Sequence, residues 1–323
     1  MRKKFLVVGC GNIGSRHLQS LTLLPYKMNI DIVDPNTKSI FLAKKKLNEI
    51  NPLHNNIELS WHNSLRDITD PYDLVIVATS AMGRVSLIQN LLKLGNNRFL
   101  IEKMVCQSVD EYDLLLSIMK TFQAKGWVNT NRRYFDTYRE IQKILQNNQK
   151  INLFVIGANP RLGTSAIHYI DLFCWLINDY EVELSGKLLI NKLFPNKRGD
   201  MLNEFAGTIM ATGKNKSTLF ITFIPDSDLP TTVNIFGEKD FFILDESNEK
   251  IISQNISFQN KYDFKFRHTS ELTKFIVEDI VNNDFCKLPT LDDSYHIHCE
   301  LFRIFNNHIK KLTNRDIQLC PIT

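Results

Sequence analysis

The first 130 residues alternate short apolar runs with longer amphipathic stretches. Six apolar runs are predicted strands, at 5–8, 30–33, 57–61, 74–78, 99–102 and 127–129. Four stretches carry apolar residues at three-to-four spacing and are predicted helices, at 13–24, 37–47, 85–94 and 109–125. Strands that alternate with helices are typical of a parallel sheet. We therefore predict a doubly wound α/β domain over residues 1–130.

The pattern changes after the polar segment 147–150, which follows one more predicted helix at 134–146. A strand at 151–157 and a helix at 165–176 come next. Six β-rich segments then succeed one another without helices, at 183–192, 204–211, 217–223, 231–236, 241–244 and 250–253. Two helices follow, at 270–282 and 292–312. We predict a second domain over residues 131–323, an α+β domain with a large, mostly antiparallel open sheet.

Composition excludes several classes of protein. With 43% apolar residues, 23% charged residues and a formal net charge of +4, the chain has an ordinary globular balance. We therefore expect neither a nucleic-acid partner nor long disorder. The six cysteines are scattered, and no apolar window approaches the length of a membrane helix. These features predict a soluble cytoplasmic protein with no membrane partner.

No metal site is expected. His296 and His298 lie two residues apart on a predicted helix and so point to different faces. No cluster of cysteines or carboxylates has ligand spacing.

A glycine-rich turn follows the first predicted strand. The motif Gly9-Cys10-Gly11-Asn12-Ile13-Gly14 directly precedes a helical pattern, and Asp34 ends the next apolar run, twenty residues after Gly14. Three glycines alone are weak support, but this context is typical of dinucleotide binding. Gly9 would permit the tight turn, Gly11 would let backbone N–H groups approach a pyrophosphate, and Gly14 would let the helix pack on the sheet. The alternative is a turn whose glycines serve the fold alone.

Asp34 predicts which dinucleotide binds. Its carboxylate would accept hydrogen bonds from the adenosine ribose hydroxyls, whereas a 2′-phosphate would meet a like charge. We therefore predict NAD, with NADP less favoured unless a nearby cation such as Lys38 compensates the 2′-phosphate. Asn12 and Ile13 are candidate contacts in the same turn. Cys10 is interpreted as a small packing residue, because no basic residue lies beside it in sequence.

Several further motifs carry a family resemblance over nearly the whole chain. They are the segment from Gly9 to His17, Val77-Ala78-Thr79-Ser80, Phe99-Leu100-Ile101-Glu102-Lys103, Asn131-Arg132-Arg133-Tyr134, His168-Tyr169-Ile170-Asp171 and Leu288-Pro289-Thr290-Leu291. Together they resemble the glucose-fructose oxidoreductase, inositol dehydrogenase and MocA-like family (Gfo/Idh/MocA). The resemblance implies cofactor contacts from Thr79 and Ser80.

The same resemblance implies catalytic roles. The family's Glu-Lys-Pro motif would place Lys103 beside the nicotinamide and the substrate hydroxyl, with Glu102 at the nicotinamide ribose. His168 would act in proton transfer. Two residues depart from the family pattern. Thr164 stands where an Asp is common, and a hydroxyl cannot accept a proton as a carboxylate does.

The second departure is Met104, which stands where the family has a proline, often after a cis bond. A cis bond before Met would cost about 3 kcal/mol. Either the local turn differs here or Lys103 is directed differently.

The residue pattern supports these candidates independently. Glu102 and Lys103 end a strand at the carboxyl edge of a parallel sheet, where ligands bind in open α/β folds. His168 and Asp171 lie three apart on a predicted helix and share a face. An interior histidine is the alternative for His168, and a structural role is the alternative to substrate binding for Asp171.

Two arginines complete the predicted site. Arg161 follows the first strand of the second domain and would meet an anionic substrate group, with an ordinary surface arginine as the alternative. Arg132 opens the crossover helix and is a second candidate for substrate binding.

These observations predict an NAD(P)-dependent oxidoreductase. It would transfer a hydride between nicotinamide and a secondary alcohol or ketone of a sugar, sugar derivative or nucleotide sugar. Two alternatives remain open: a non-catalytic NAD-binding protein of the same fold, and a lyase or hydrolase that uses tightly bound NAD transiently. The open sheet has a second face to cover, which predicts a homodimer or homotetramer.

Overall fold

A computed structural model describes residues 2–49, 56–196, 199 and 202–322. Contacts between residues divide the chain into two compact units. The first comprises Met1–Cys106, Asp110–Asn131 and Arg267–Leu291, and the second comprises Gln107–Val109, Arg132–Phe266 and Asp292–Thr323. Among the described residues, no helix is both long and apolar enough to cross a membrane.

The first unit contains a six-stranded parallel sheet. Its strands are β1 (Lys3–Val8), β2 (Met28–Val33), β3 (Ile57–His62), β4 (Leu74–Val77), β5 (Arg98–Ile101) and β6 (Lys125–Val128). They lie in the order β3-β2-β1-β4-β5-β6, with every neighbouring pair parallel. The order reverses between β1 and β4, the position at which open α/β sheets bind ligands. The predicted doubly wound domain is confirmed.

In the described chain, four α-helices and one 3₁₀ helix connect these strands. The α-helices are α1 (Asn12–Leu21), α2 (Thr37–Asn48), α3 (Arg84–Lys93) and α4 (Val109–Thr121), and the 3₁₀ helix (Leu65–Asp67) lies between β3 and β4. The central strands are continuous apolar runs because crossover helices cover both faces of such a sheet. All four residues of β4 are buried, as are the last four of β1. The predicted helix at 109–125 is shorter in the structure, since Lys125 already begins β6.

The second unit contains a seven-stranded mixed sheet. Its strands are β7 (Asn152–Ala158), β8 (Glu183–Leu189), β11 (Gly207–Thr212), β12 (Thr218–Ile224), β13 (Thr232–Phe236), β14 (Phe241–Asp245) and β15 (Lys250–Ser253). Their order is β15-β14-β13-β7-β12-β11-β8. β7 and β12 pair in parallel, and the other neighbours are antiparallel. This confirms the predicted mostly antiparallel sheet.

Side chains alternate across this sheet, as the period of two requires. On one face Leu153, Val155 and Ile221 are buried, and helix α6 (Leu162–Ile177) packs on β11 and β12 there. On the opposite face Phe154 and Ile156 are exposed. The second unit therefore has one covered and one open apolar face.

Besides a 3₁₀ helix (Asn131–Tyr134), the described residues form two further short strands and four further α-helices. They are α5 (Asp136–Leu145), β9 (Phe194–Pro195), β10 (Asn203–Glu204), α7 (Ile256–Lys261), α8 (Thr269–Asn283) and α9 (Leu291–Thr313). The single strand predicted at 204–211 is two strands in the structure, β10 and β11. β10 pairs with β9 in a separate two-stranded sheet, which is why the run is divided.

Helix α8 lies in the first unit, whereas the sequence placed all residues after 130 in the second. Two contacts explain this. The Lys274 backbone N–H donates to Ser20 Oγ at 2.9 Å, and His17 Nδ1 lies 2.8 Å from Thr273 Oγ1. Helix α8 thus packs on α1 although some 250 residues separate them in the chain.

Candidate active site

The glycine turn between β1 and α1 has a geometry that only glycine supplies at two positions. Gly9 has φ of +86°, in the left-handed region, and a Cβ there would lie 2.9 Å from the Ala78 carbonyl carbon. A Cβ on Gly14 would lie 1.8 Å from the Gly9 carbonyl oxygen. Helix α1 therefore packs on its own preceding turn, backbone against backbone.

Gly11 is different, because a Cβ built on it would meet no atom within 4 Å among the described residues. Nothing in the local packing requires glycine there. Gly11 is also the N-cap of α1, and no side-chain hydrogen bond caps that end in the described structure. The positive end of a helix with its N–H groups open to an approaching group suits a phosphate. These residues fit a dinucleotide pyrophosphate.

Asp34 follows β2 and lies beside this turn. Its Oδ2 accepts a hydrogen bond from the Cys10 N–H at 2.8 Å, and its Oδ1 accepts one from the Asn36 N–H at 2.9 Å. Each carboxylate oxygen retains capacity for a further hydrogen bond. The carboxylate is thereby fixed at the glycine turn.

Cys10 is buried in the same turn. Burial, followed by the charge of Asp34, raises the pKa of the Cys10 thiol to about 12. The thiol stays protonated at neutral pH, which supports its interpretation as a packing residue.

Thr79, Ser80, Glu102 and Lys103 follow the carboxyl ends of β4 and β5, on the same edge of the sheet as the glycine turn. Thr79 Oγ1 donates to the Ser80 carbonyl at 3.0 Å. The Lys103 side chain is largely buried, and the peptide bond from Lys103 to Met104 is cis. Met104 stands where the family has a proline. The bond before Met104 is nevertheless cis, the isomer that often precedes that proline.

The Glu102 carboxylate is held by two neighbours. His17 Nε2 lies 3.0 Å from Glu102 Oε1, and Asn129 Nδ2 donates to the same oxygen at 2.5 Å. Burial alone would raise the pKa of Glu102. The hydrogen bonds from His17 and Asn129 and the positive charges of His17 and Lys103 outweigh it and lower the pKa below its usual value. Glu102 is therefore a carboxylate at neutral pH.

In the second unit, Thr164 and His168 lie one turn apart on the same face of α6. Thr164 Oγ1 donates to the Arg161 carbonyl at 3.4 Å, and both Thr164 and His168 are half-buried. Arg161 is exposed at the start of the helix. The Gly163 N–H donates to the Glu204 carboxylate at 2.9 Å, so a carboxylate already occupies this helix end.

Asp171, on the same helix, is fully buried with Arg133. Arg133 Nε donates to Asp171 Oδ2 at 3.0 Å, and Arg133 Nη2 donates to Oδ1 at 2.5 Å. Both oxygens of the carboxylate thus accept hydrogen bonds from one guanidinium. This geometry favours the structural interpretation of Asp171.

Arg132 is buried in a second ion pair. It forms two hydrogen bonds to Glu246, at 2.9 and 2.6 Å, and its guanidinium lies 4.1 Å from the centre of the Tyr169 ring. The hydroxyls of Tyr138 and Tyr169 also donate to Glu246, at 2.8 and 2.9 Å. Burial would lower the pKa of Arg132, but Glu246 raises it above its usual value. The pair fixes Tyr169, the residue that follows His168.

Residues 3–130 match the model of a family described as an oxidoreductase family with an NAD-binding Rossmann fold, GFO_IDH_MocA. Residues 3–130 therefore match the NAD-binding domain of the Gfo/Idh/MocA oxidoreductase family. The resemblance predicted from the sequence motifs is confirmed for these residues. No curated protein sequence matches the chain significantly.

Solved structures of similar fold match 94% or more of the chain. The dehydrogenase GnnA of Acidithiobacillus ferrooxidans, a UDP-N-acetylglucosamine 3-dehydrogenase, has a TM-score of 0.71 and 12% identity over 94% of this chain and 97% of its own. The WlbA dehydrogenase of Bordetella pertussis has a TM-score of 0.66 and 15% identity over 100% of both chains. The scyllo-inositol dehydrogenase of Lactobacillus casei has a TM-score of 0.65 and 16% identity over 96% of this chain and 98% of its own. At these identities the likeness is one of fold.

Four residues that hold candidate groups were not singled out from the sequence as site residues: His17, Arg84 and Asn129 in the first unit and Glu246 in the second. His17 lies within the motif from Gly9 to His17, so its position in the motif was a usable signal. No local sequence signal pointed to Glu246, because 114 residues separate it from its partner Arg132.

We predict a pH-dependent contribution of Glu102 to stability. The folded pKa lies below the usual 4.5, so the unfolded chain binds this proton more tightly and the stabilisation is lost as pH falls through the folded pKa. The difference in free energy of unfolding between wild type and Glu102→Gln should therefore rise with pH up to about 5 and stay level above it. Urea unfolding at several pH values measures it. Glu183→Gln, at an exposed position of β8, is the control. A difference that falls with rising pH would contradict the assignment.

Proposed function

We propose that this protein is an NAD-dependent oxidoreductase that acts on a secondary alcohol or ketone of a sugar, sugar derivative or nucleotide sugar. The observation that carries the proposal is the shared sheet edge. The glycine turn, Asp34, Glu102 and Lys103 all follow carboxyl ends of strands of the parallel sheet. A dinucleotide bound at the turn would extend across the switch point between β1 and β4, toward the end of β5.

The cofactor would be held by the open N-terminus of α1 and by Asp34. Gly11, Asn12 and Ile13 would contact the pyrophosphate, and Thr79, Ser80 and Glu102 would contact the nicotinamide half. NAD is favoured over NADP because a 2′-phosphate would meet the fixed Asp34 carboxylate. When bound, the nicotinamide accepts or supplies the hydride.

Lys103 is the proposed catalytic residue in the first unit. Its ammonium group would donate a hydrogen bond to the reacting oxygen and help to move its proton. In the second unit, His168 would act as the acid or base, and Thr164 would orient the substrate by hydrogen bonding. A hydroxyl at position 164 does not carry a proton as a carboxylate would, so proton transfer would depend on Lys103 and His168.

The substrate class is supported by the similar structures. The Lactobacillus casei enzyme is described with bound NAD(H) and scyllo-inositol, and the Bordetella pertussis enzyme with NADH and UDP-GlcNAcA. Arg161, exposed at the start of α6, would bind an anionic group of such a substrate. The buried Arg132 and Asp171 would serve the substrate by fixing α6 through Glu246 and Arg133.

A homodimer or homotetramer is part of the proposal, formed through the open face of the seven-stranded sheet. Phe154 pairs across strands with Phe220, and their rings stack with centres 5.4 Å apart. Ile243 pairs with Ile252 on the neighbouring strands. Exposed apolar patches often mark interaction sites, and a second copy of the same face would cover this one. The scattered, buried cysteines suit a reducing cytoplasm.

Turnover should separate the proposal from its alternatives. We expect wild type to reduce NAD+ with at least one member of a panel of inositols, sugars and UDP-sugars, with kcat/KM about tenfold or more above that with NADP+. Lys103→Met should lower kcat about a hundredfold or more, because general acid–base catalysis has that magnitude. It should leave the NADH dissociation constant near that of wild type. Lys93→Met, at an exposed position of α3, is the control.

Other outcomes of the same experiment select other functions. Wild-type turnover in Lys103→Met would remove the assignment of Lys103. Tight NADH binding without turnover of any panel member would favour the non-catalytic alternative. Consumption of a substrate with no net change in NAD redox state would favour a lyase or hydrolase.

Light scattering should test the assembly. We expect wild type to have two or four times the chain mass of 37.5 kDa. Ile156→Lys places a charge on the open sheet face and should halve the mass, to one chain from a dimer or to two chains from a tetramer. Ile256→Lys, at an exposed residue of α7, is the control. A wild-type protein with the mass of one chain would rule out the assembly.

A further inference from the structure

Arg84 is a buried arginine whose guanidinium binds backbone carbonyls. It lies in the first turn of α3, and only 2% of its surface is exposed. Nη1 donates to the carbonyl oxygens of Glu102 and Met104, and Nη2 donates to the carbonyl oxygen of Thr79. One side chain therefore connects the segment after β4 with the segment after β5.

The carbonyls that Arg84 binds bracket Lys103. The Glu102 carbonyl belongs to the peptide unit before Lys103, and the Met104 carbonyl belongs to the unit after Met104. Peptide units are planar, so holding both carbonyls restricts the backbone dihedrals between them. The direction of the Lys103 side chain follows from that restricted backbone. Arg84 thus acts on Lys103 through the main chain.

Arginine suits this task because its donors form a rigid planar fork that reaches several acceptors in fixed directions. A lysine at position 84 would keep the charge and lose the fork. Helix α3 in turn fixes Arg84, since the neighbouring Val85 and the next-turn Ile88 are buried in the core of the first unit.

We propose that Arg84 is the positioning residue for Lys103. The inference rests on the proposed function, in which Lys103 meets the reacting oxygen. With Arg84 bound to these carbonyls, the segments after β4 and β5 and the Lys103 backbone form one rigid unit before any ligand binds. Such preorganisation holds a catalytic group in place ahead of the reaction.

The rate at which Lys103 is acylated tests the proposal in the intact protein without ligand. The reagent is a limiting amount of an amine-reactive acetyl ester, and peptide mass spectrometry quantifies the product. Rates are taken from about pH 8 to 11, across the usual lysine range. The plateau rate then reports access to the neutral amine, separately from its pKa. We expect plateau rates above wild type for Arg84→Lys and on the order of tenfold above it for Arg84→Met, because loss of the fork loosens the segment.

Arg98→Met is the matched control, because Arg98 lies at the opposite end of β5 and pairs with Asp284. In this variant, the ester should acylate Lys103 at the wild-type plateau rate. If Arg84→Met does not fold, Arg84→Lys carries the test. Wild-type plateau rates in the folded Arg84 variants would overturn the proposal.

NADH fluorescence titration of the same proteins separates this inference from the function it rests on. We expect wild type to bind NADH and Arg84→Lys to bind it with a dissociation constant at most about tenfold higher. The glycine turn and Asp34 are unchanged, whereas the loosened segment carries Thr79 and Glu102. Any substrate turned over should show a lower kcat in Arg84→Lys. A wild type that binds no NADH would refute the proposed function, whereas unchanged acylation of Lys103 would refute the role of Arg84.

Discussion

The backbone contact between helix α1 and the turn before it organises the first unit. Because position 14 has no side chain, the helix lies against the Gly9 carbonyl, where a Cβ would be only 1.8 Å away. This contact places the open N-terminus of α1 at the edge where β1 and β4 end. It also places His17, in the second turn of the same helix, within reach of Glu102 at the end of β5. A helix that stood further from the turn would lose both relations.

Buried charges hold the other functional segments by hydrogen bonds to defined partners. Glu102 is held by His17 and Asn129, and Arg84 binds the carbonyls on both sides of Lys103. In the second unit, Arg133 and Asp171 fix helix α6. A buried charge without its partner is strongly destabilising, by about 3–5 kcal/mol. Each pair is therefore a firm constraint on where its backbone can lie, and the proposed catalytic groups sit on these constrained segments.

Local patterns in the sequence predicted both sheets and most helices, because apolar periodicity reports directly which face of an element is buried. The glycine turn and Asp34 were also predictable, since each residue type there meets a local backbone requirement. Contacts between distant residues were not. The packing of α8 on α1, and the pairing of Arg132 with Glu246, join residues whose separation leaves no local signal. Arg133 rather than His168 holds both oxygens of Asp171, although helical spacing alone suggested the histidine.

A substitution at Gly11 distinguishes two interpretations of the glycine turn, one in which the glycines serve the fold alone and one in which the turn holds a cofactor. Because a Cβ at this position meets nothing within 4 Å, Gly11→Ala should still fold, with only the loss of about 1 kcal/mol that alanine costs at a helix N-cap. The same methyl group would occupy the space that a pyrophosphate needs, so the dissociation constant for NADH should rise about a hundredfold or more. Fluorescence titration of wild type and Gly11→Ala with NADH is the most direct measurement. Tight binding that is lost in the variant is the predicted result, and equal affinities, or no binding by wild type, would contradict the account.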